Sequence, residues 1–326
     1  MSQHTLASTR MLQQPEVQGW IIDRLQGSFV AGDFLPFTTT GNTVFKWFYR
    51  GIIGGMTPEV GENDYGEMIH TEYEQRSATV HHYRERTAVS LYANDATIDF
   101  ADLVRDDVNF LTDRLALRLE SSRINAIIGA VNLAAGWEER FWTNLAVGGR
   151  QWVGGAGAVS IIDDIIDARE RIAKYSRMHT DTILCGTRIA AGLQKNVETR
   201  DWDRKGPMSL EIAKEGTMLG ITQPKSNREQ ANIGRLAGHE VYVSSAATLV
   251  NEDDLHGGLT PLMDNDVYLF KRGTDLGRTV FFETPNMRTK APDQFGRLQE
   301  WQIGASFEPV VYRPQLVYAY RNCIAP

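Results

Sequence analysis

Apolar residues between Asp99 and Leu133 recur at steps of three and four positions, which is typical of an amphipathic α-helix. The repeating positions are Leu103, Phe110, Leu111, Leu115, Leu119, Ile124, Ile127 and Ile128. Asp99 is placed to cap the first turn. At a rise of about 1.5 Å per residue such a helix spans roughly 50 Å, which is more than a compact domain needs from one core helix. We therefore predict a helix that braces a larger structure.

The pattern ahead of this helix favours β-strands. Val44–Tyr49 is one run of β-branched and aromatic residues, and Ala78–Val89, rich in Val, Tyr and Thr, is another. The stretch between them, which includes Gly51–Gly66, contains glycine, proline and acidic residues. We predict that the two runs form one long β-hairpin. Because an isolated two-stranded hairpin is only marginally stable in water, we expect it to pack on another subunit.

The rest of the chain mixes helices with short strands, which predicts an α+β fold. Residues 1–40 predict an arm with at most one short helix, around Pro15–Leu25. Ser160 and Asp163 resemble a capping box and begin a predicted helix that ends near Met178. The other predicted elements are a helix at Thr187–Lys195 and strands at Thr182–Cys185, Glu240–Ser244, Asp266–Lys271, Thr279–Glu283 and Leu316–Tyr320. Apolar residues alternate over Trp301–Glu308, which predicts a half-buried strand.

The composition and charge of the chain exclude several classes of protein. The 326 residues are 42% hydrophobic and carry a net charge of −7, without the basic stripe of a protein that binds nucleic acid tightly. This argues against a transcription factor or a nuclease and is compatible with a wall that encloses DNA. The sequence has no apolar run long enough for a membrane span and no signal-peptide pattern, so we expect a cytosolic protein. The distant Cys185 and Cys323 indicate buried thiols.

The sequence contains no motif that predicts catalysis. His70, His81 and His82 lie near several glutamates, so a metal site is conceivable, but their spacing matches no known site and adjacent strand residues point to opposite faces. Gly148–Gly157 precedes a helix but lacks the lysine and hydroxyl residue of a phosphate-binding loop. We predict no catalytic, cofactor or metal residues, and a soluble metal-dependent enzyme built on the histidines stays open as an alternative.

Aromatic residues on the predicted hairpin suggest a different role. A hairpin cannot bury such side chains alone, so we expect them to contact a neighbouring chain. The candidate subunit-interface residues are Phe45, Trp47, Phe48, Tyr49, Tyr83, Arg84 and Arg86.

The order of arm, long hairpin, long helix and mixed domain resembles that of the tailed-phage major capsid protein family. The stretches that carry the resemblance are EYEQRSATVHHYRERTAVS, DFADLVRDDVNFLTDRLALRLESSRINAII, IIDDIIDARERIAKYSRMHTDTILCGTRIAAGLQKN and FFETPNMRTKAPDQFGRLQEWQIGASFEPVVYRPQLVYAY. The similarity covers nearly the whole chain and is one of layout, without an invariant motif. It implies the Hong Kong 97-like fold.

The resemblance also implies a division of the chain. It places an N-terminal arm at 1–40, an extended loop at 41–90, an axial domain at 158–297, and a peripheral domain at 91–157 and 298–326 whose spine helix is 99–133.

By the same resemblance, the chain assembles with itself as pentamers and hexamers into an icosahedral shell around double-stranded DNA. Its expected partners are a portal protein, a separate scaffolding protein, since the chain lacks a built-in scaffold segment ahead of the arm, and possibly a decoration protein. The shell encloses DNA without sequence-specific binding, is assembled in the host cytoplasm and ends as the virion capsid. The alternative on the same fold is an encapsulin, a cellular compartment that holds a cargo protein.

Overall fold

The computed structural model describes residues 31–50, 73–90, 100–133, 141–147, 149–154, 160–196, 199, 232–244, 247–249, 259–290 and 298–325. The helices are α1 (Ala31–Phe34), α2 (Phe100–Leu133), α3 (Ile161–Ser176) and α4 (Thr187–Lys195). The first strands are β1 (Phe37–Thr39), β2 (Val44–Arg50), β3 (Tyr73–Thr79), β4 (His81–Ser90), β5 (Trp142–Asn144), β6 (Thr182–Gly186) and β7 (Asn232–Leu236). The remaining strands are β8 (His239–Ser244), β9 (Ala247–Leu249), β10 (Leu259–Pro261), β11 (Val267–Phe270), β12 (Gly277–Lys290), β13 (Leu298–Val311) and β14 (Val317–Arg321).

The long helix α2 joins two hydrophobic cores. In its first half, Leu111 and Leu115 pack on the four-stranded sheet β1-β12-β13-β4. In its second half, Ile124 and Ile127 are fully buried in the core of the six-stranded sheet β5-β14-β11-β6-β8-β7. The predicted helix is confirmed, with its end at Leu133 as expected, while the proposed cap Asp99 lies outside the described residues. The α+β class is confirmed as well.

The hairpin prediction is right for β2 and wrong for its partner. β2 pairs with β3, so only the first two residues of the predicted run Ala78–Val89 belong to the hairpin. The rest of that run is β4, which pairs with β13 in the four-stranded sheet. The strand partner changes from β2 to β13 at Val80. The side chain of Val80 is 2% exposed, and its amide donates to the Thr43 carbonyl at 2.8 Å, which fixes this position. Gly51–Gly66, the predicted tip, lies outside the described residues.

The long antiparallel pair β12 and β13 corrects two further predictions. The strand predicted at Thr279–Glu283 extends to Lys290, because β12 stays paired with β13 through irregular steps near Glu283. The alternation in β13 holds for the core face, but Gly304 and Ser306 on the other face are buried too. They are covered because β13 is an inner strand with a neighbour on each side.

Both sheets draw strands from distant parts of the chain. β12 pairs in the four-stranded sheet, and β14, which follows β13 in the chain, pairs in the six-stranded sheet between β5 and β11.

The six-stranded sheet is covered on both faces. Its strands β6 and β11 are buried along their whole length, as expected for inner strands, and helices α3 and α4 supply buried apolar residues to the same core. The helix at Thr187–Lys195 and the strands predicted near residues 182, 240, 266 and 316 are confirmed within one or two residues at each end. Both cysteines are free and buried, as predicted.

Residues 31–40, predicted as the end of the arm, pack into the body of the same chain. Phe34 is fully buried and meets the rings of Tyr242 and Phe270 edge-on, with centroid distances of 5.2 and 5.1 Å. β1 adds to β12 as a parallel strand. The helix predicted around Pro15–Leu25 lies outside the described residues.

Buried polar contacts fix this segment to α2 and β12. The Ala31 amide donates to Glu120 Oε2 at 2.9 Å, and Arg123 Nε donates to Thr279 Oγ1 at 2.9 Å. The Thr279 hydroxyl in turn donates to the Leu35 carbonyl at 3.0 Å. These hydrogen bonds join parts of the chain that are far apart in sequence.

The N-terminus of α3 is capped as predicted. Ser160 accepts a hydrogen bond from the Asp163 amide at 3.1 Å, and Asp163 and Asp164 lie in the first turn, where carboxylates favour the helix dipole. We expect Ser160→Ala to lower the free energy of unfolding by about 1 kcal/mol, because an orphan amide loses its acceptor. Urea unfolding followed by circular dichroism measures this change. Ser160→Asn, which keeps a capping oxygen, should stay close to the wild type, and an equal loss in both variants would contradict the role of the cap.

Candidate assembly surfaces

The β2–β3 hairpin presents aromatic side chains on both faces. Phe45 and Trp47 share one face, with ring centroids 5.7 Å apart, opposite Ala78 and Arg76 of β3. Phe48 points to the other face and is 65% exposed. Alternate strand residues lie on opposite faces, so this division follows from the sequence. The side chain of the fourth candidate on this strand, Tyr49, lies outside the described residues.

The hairpin borders a small cleft on its own chain. Phe48 lines this cleft together with residues 274–275 and 312–313, and the volume is about 150 Å³. β2 and β3 form a sheet of their own and do not pair with the four- or six-stranded sheets. The hairpin therefore leaves much of Phe48 accessible to another molecule.

β4 divides the other three interface candidates between two faces. Tyr83 points inward, where its ring lies 4.7 Å from that of Phe307 and below the guanidinium of Arg118 at 4.9 Å. Arg84 and Arg86 lie on the opposite face and are exposed. The structure therefore places Tyr83 against its own chain, and leaves the two arginines available to a partner.

Arg84 spans the central strand of the sheet. Its aliphatic part lies over Gly304, where a Cβ atom would come within 2.9 Å of Arg84 Cγ. Its guanidinium reaches Glu283 at 3.4 Å, and Arg288 approaches the same carboxylate at 3.5 Å. The Ser306 hydroxyl also donates to Glu283, and these contacts lower the pKa of that carboxyl, the Ser306 bond most. The result is a cluster in which two exposed arginines share the carboxylate of Glu283.

The contacts of Glu283 and Arg288 could not be predicted from the sequence alone, because they depend on the strand order β12-β13-β4. The signal that points to them is Gly304. A glycine inside an alternating strand often marks a close approach of another group, and here that group is Arg84.

The histidines next to the hairpin are engaged in protein contacts. His82 Nδ1 lies 2.6 Å from Ser306 Oγ, and His81 Nε2 lies 3.9 Å from Glu308, whose pKa is raised by burial. Glu85 pairs with Arg114 at 3.1 Å. His70 lies outside the described residues. In the part of the chain that the structure describes, no three His, Cys, Asp or Glu side chains are grouped to hold a metal ion.

Neither thiol has the surroundings of a nucleophile. Burial raises the pKa of Cys185 to about 12 and also raises that of Cys323. Both are therefore protonated at neutral pH. Among the residues that the structure describes, none of the helices combines the length and the apolar character that a membrane span requires.

Solved structures match this fold over most of its length. A phage-related protein from Bordetella bronchiseptica is 14% identical with a TM-score of 0.61, and the match covers 94% of this chain and 97% of that one. The capsid of cyanophage P-SCSP1u is 11% identical with a TM-score of 0.59, covering 91% and 88%. The SrpI encapsulin complex from Synechococcus elongatus is 12% identical with a TM-score of 0.53, covering 88% and 85%. No protein-family model and no curated protein sequence matches the chain.

Identities of this size carry information about the fold alone. The matches extend over both sheets and α2, since they cover about nine-tenths of the chain. The chain therefore has the Hong Kong 97-like fold of phage capsid proteins, as its resemblance to that family implied.

Proposed function

We propose that this chain forms shells, as the major capsid protein of a tailed virus with a double-stranded DNA genome. The observation that carries the proposal is the fold match over nearly the full length, which includes phage capsids. A second observation supports it. The β2–β3 hairpin exposes Phe48 and pairs with neither large sheet, which suits an element that is completed by a neighbouring copy.

The proposed assembly uses the chain as a repeated unit in pentamers and hexamers. Many modest contacts per copy add up on a closed surface, because each new copy meets several neighbours at once. A portal protein, a separate scaffolding protein and a decoration protein are the proposed partners, and the virion capsid is the proposed location. We propose no enzymatic role, and the domain boundaries derived from the family resemblance stay predictions.

The first experiment is size-exclusion chromatography and negative-stain electron microscopy of the expressed chain. We expect closed shells or pentamer and hexamer rings. A persistent monomer or dimer, with a scaffolding protein supplied, would overturn the proposal and return attention to the enzyme alternative.

The hairpin variant Trp47→Ser with Phe48→Ser tests the proposed interface. We expect it to abolish shells, since apolar anchors at the centre of an interface often contribute 2 kcal/mol or more each, roughly a thirtyfold loss per contact. The midpoint of thermal unfolding of the unassembled chain should change little. Val147→Ser, which removes another exposed apolar side chain (73% exposed), is the matched control and should still assemble. Normal shells from the hairpin variant would exclude these residues from the interface.

An encapsulin-type compartment is the second candidate, and the match to the SrpI encapsulin favours it specifically. The contents of purified shells separate the two functions. Absorbance spectra and mass spectrometry that reveal one stoichiometric cargo protein would indicate a compartment, whereas genome-length DNA in shells from infected or induced cells would indicate a virus.

A further inference from the structure

A buried histidine lies where the hairpin β7–β8 meets the rest of the six-stranded sheet. His239 is 1% exposed, and its Nε2 atom lies 2.5 Å from the hydroxyl of Thr180, just ahead of β6. Its Nδ1 atom lies 3.0 Å from the carbonyl of Ala237. The ring therefore links the hairpin turn to the loop that follows α3.

These contacts fix the tautomer of the neutral ring. A carbonyl can only accept, so Nδ1 carries the hydrogen that binds Ala237. In the neutral ring Nε2 is then unprotonated and accepts from the Thr180 hydroxyl. Because the side chain is 1% exposed, a second proton on Nε2 would place a positive charge in a site closed to water, so burial favours the neutral ring.

The hairpin that His239 contacts lies at one edge of this sheet. β7 is an edge strand whose pairing partner is β8. The turn between them uses positive φ at Ala237 (48°) and Gly238 (83°), and this region is unfavourable for alanine. A strained turn at a sheet edge opens more readily than the inner strands β6 and β11.

We propose that protonation of His239 opens the β7–β8 hairpin, so that this edge of the six-stranded sheet is an acid-sensitive element of the fold. The inference does not depend on the proposed function, because it concerns the chain itself.

The charges around the ring agree with this direction. Burial is the largest influence and lowers the pKa of His239 below its ordinary 6.5, and Arg169 on α3 lowers it further. Asp181 and the carbonyl contacts to Ala237 and Leu236 act in the opposite direction but do not reverse the shift. On the hairpin itself, the negative charge of Glu240 is balanced by ion pairs with Arg235 and Arg272, at 3.2 and 2.7 Å.

The sign of the pH effect follows from that shift. Above pH 6.5 the ring is neutral in both the closed and the open hairpin, so closure has its full stability. As the pH falls below that value, the open form takes up a proton that the closed form does not. Closure then weakens by about tenfold for each pH unit, until the pH reaches the lowered pKa.

Hydrogen–deuterium exchange with mass spectrometry on the full chain tests the proposal. Exchange of the β7 amides is measured from pH 7.5 to 5.0 and corrected for the intrinsic pH dependence, with β13 as the internal reference. We expect the opening of β7 to increase by up to tenfold per pH unit below 6.5 while β13 stays constant. A β7 exchange rate that is flat across this range in the wild type would overturn the proposal, without any variant.

The variant His239→Asn removes the titration and keeps an amide that can donate to Ala237. We expect its β7 strand to exchange faster at pH 7.5 but without the acid-dependent increase. His179→Asn, at an exposed histidine in the loop after α3, is the matched control and should retain the wild-type pH dependence. An unchanged pH dependence in His239→Asn, or its loss in His179→Asn, would assign the effect to another group and overturn the proposal.

Discussion

Replacing Phe34 by alanine lowers the free energy of unfolding of the unassembled chain by about 3–5 kcal/mol, the range found when a fully buried phenylalanine is truncated. The ring has no exposed surface and meets Tyr242 and Phe270 edge-on, so the substitution leaves a cavity lined by aromatic rings and removes both ring contacts. Urea unfolding followed by circular dichroism and tryptophan fluorescence measures the change.

Phe37→Ala is the matched control for this prediction. Phe37 lies in the same segment but is 65% exposed, so we expect its loss to matter by less than about 1 kcal/mol. If the two variants lost similar amounts of free energy of unfolding, residues 31–39 would not be part of the core in solution. That result would instead indicate an arm that detaches from its own chain.

Arg123→Met has an expected effect of the same size, about 3–5 kcal/mol, for an electrostatic reason. Arg123 is 9% exposed, and burial lowers its pKa to about 10, although Glu120 and Asp33 act against this shift. Methionine fills a similar volume but removes the positive charge that faces the buried carboxylate of Glu120 and the Nε–H that donates to Thr279. The same urea experiment measures the loss.

An exposed arginine serves as the control for Arg123→Met, and a double variant with Glu120→Gln tests the contribution of charge. Arg118→Met removes an exposed arginine that lies over the Tyr83 ring, and should change the stability by less than about 1 kcal/mol. Adding Glu120→Gln to Arg123→Met should recover part of the loss, because the negative charge that faced Arg123 is then removed as well. If the double variant is as unstable as the sum of the single ones, the two charges do not interact.

The helices were predictable because their burial is periodic in sequence. In α3, the buried positions Ile161, Ile165, Ala168 and Ile172 repeat at steps of three and four, and Ser160 marks the start. β3 shows the opposite case. Its sequence YEQRSAT has no apolar alternation, and among the described strands it pairs with β2 alone, outside the two large sheets. A strand without a buried face leaves no pattern, so the partner of β2 was assigned to the wrong residues.

The contacts between distant segments were beyond sequence reasoning for a different reason. Arg123 on α2 and Thr279 on β12 are far apart in sequence and meet only in the folded chain. Arg84 on β4 reaches Glu283 on β12 across β13, which lies between the two strands. Tyr83 shows the same dependence on the fold at the level of one residue. Its residue type suits an interface, but the register of β4 turns it towards Phe307, whereas its neighbour Arg84 faces outward.

The position of α2 also has a mechanical consequence. One unbroken helix of 34 residues is embedded at one end in the core of the four-stranded sheet and at the other in that of the six-stranded sheet. A torque applied to either sheet is therefore passed to the other, instead of being absorbed by a flexible connection. The two sheets therefore move as one rigid body, and in a shell of the proposed kind the curvature is set by the angles between neighbouring copies.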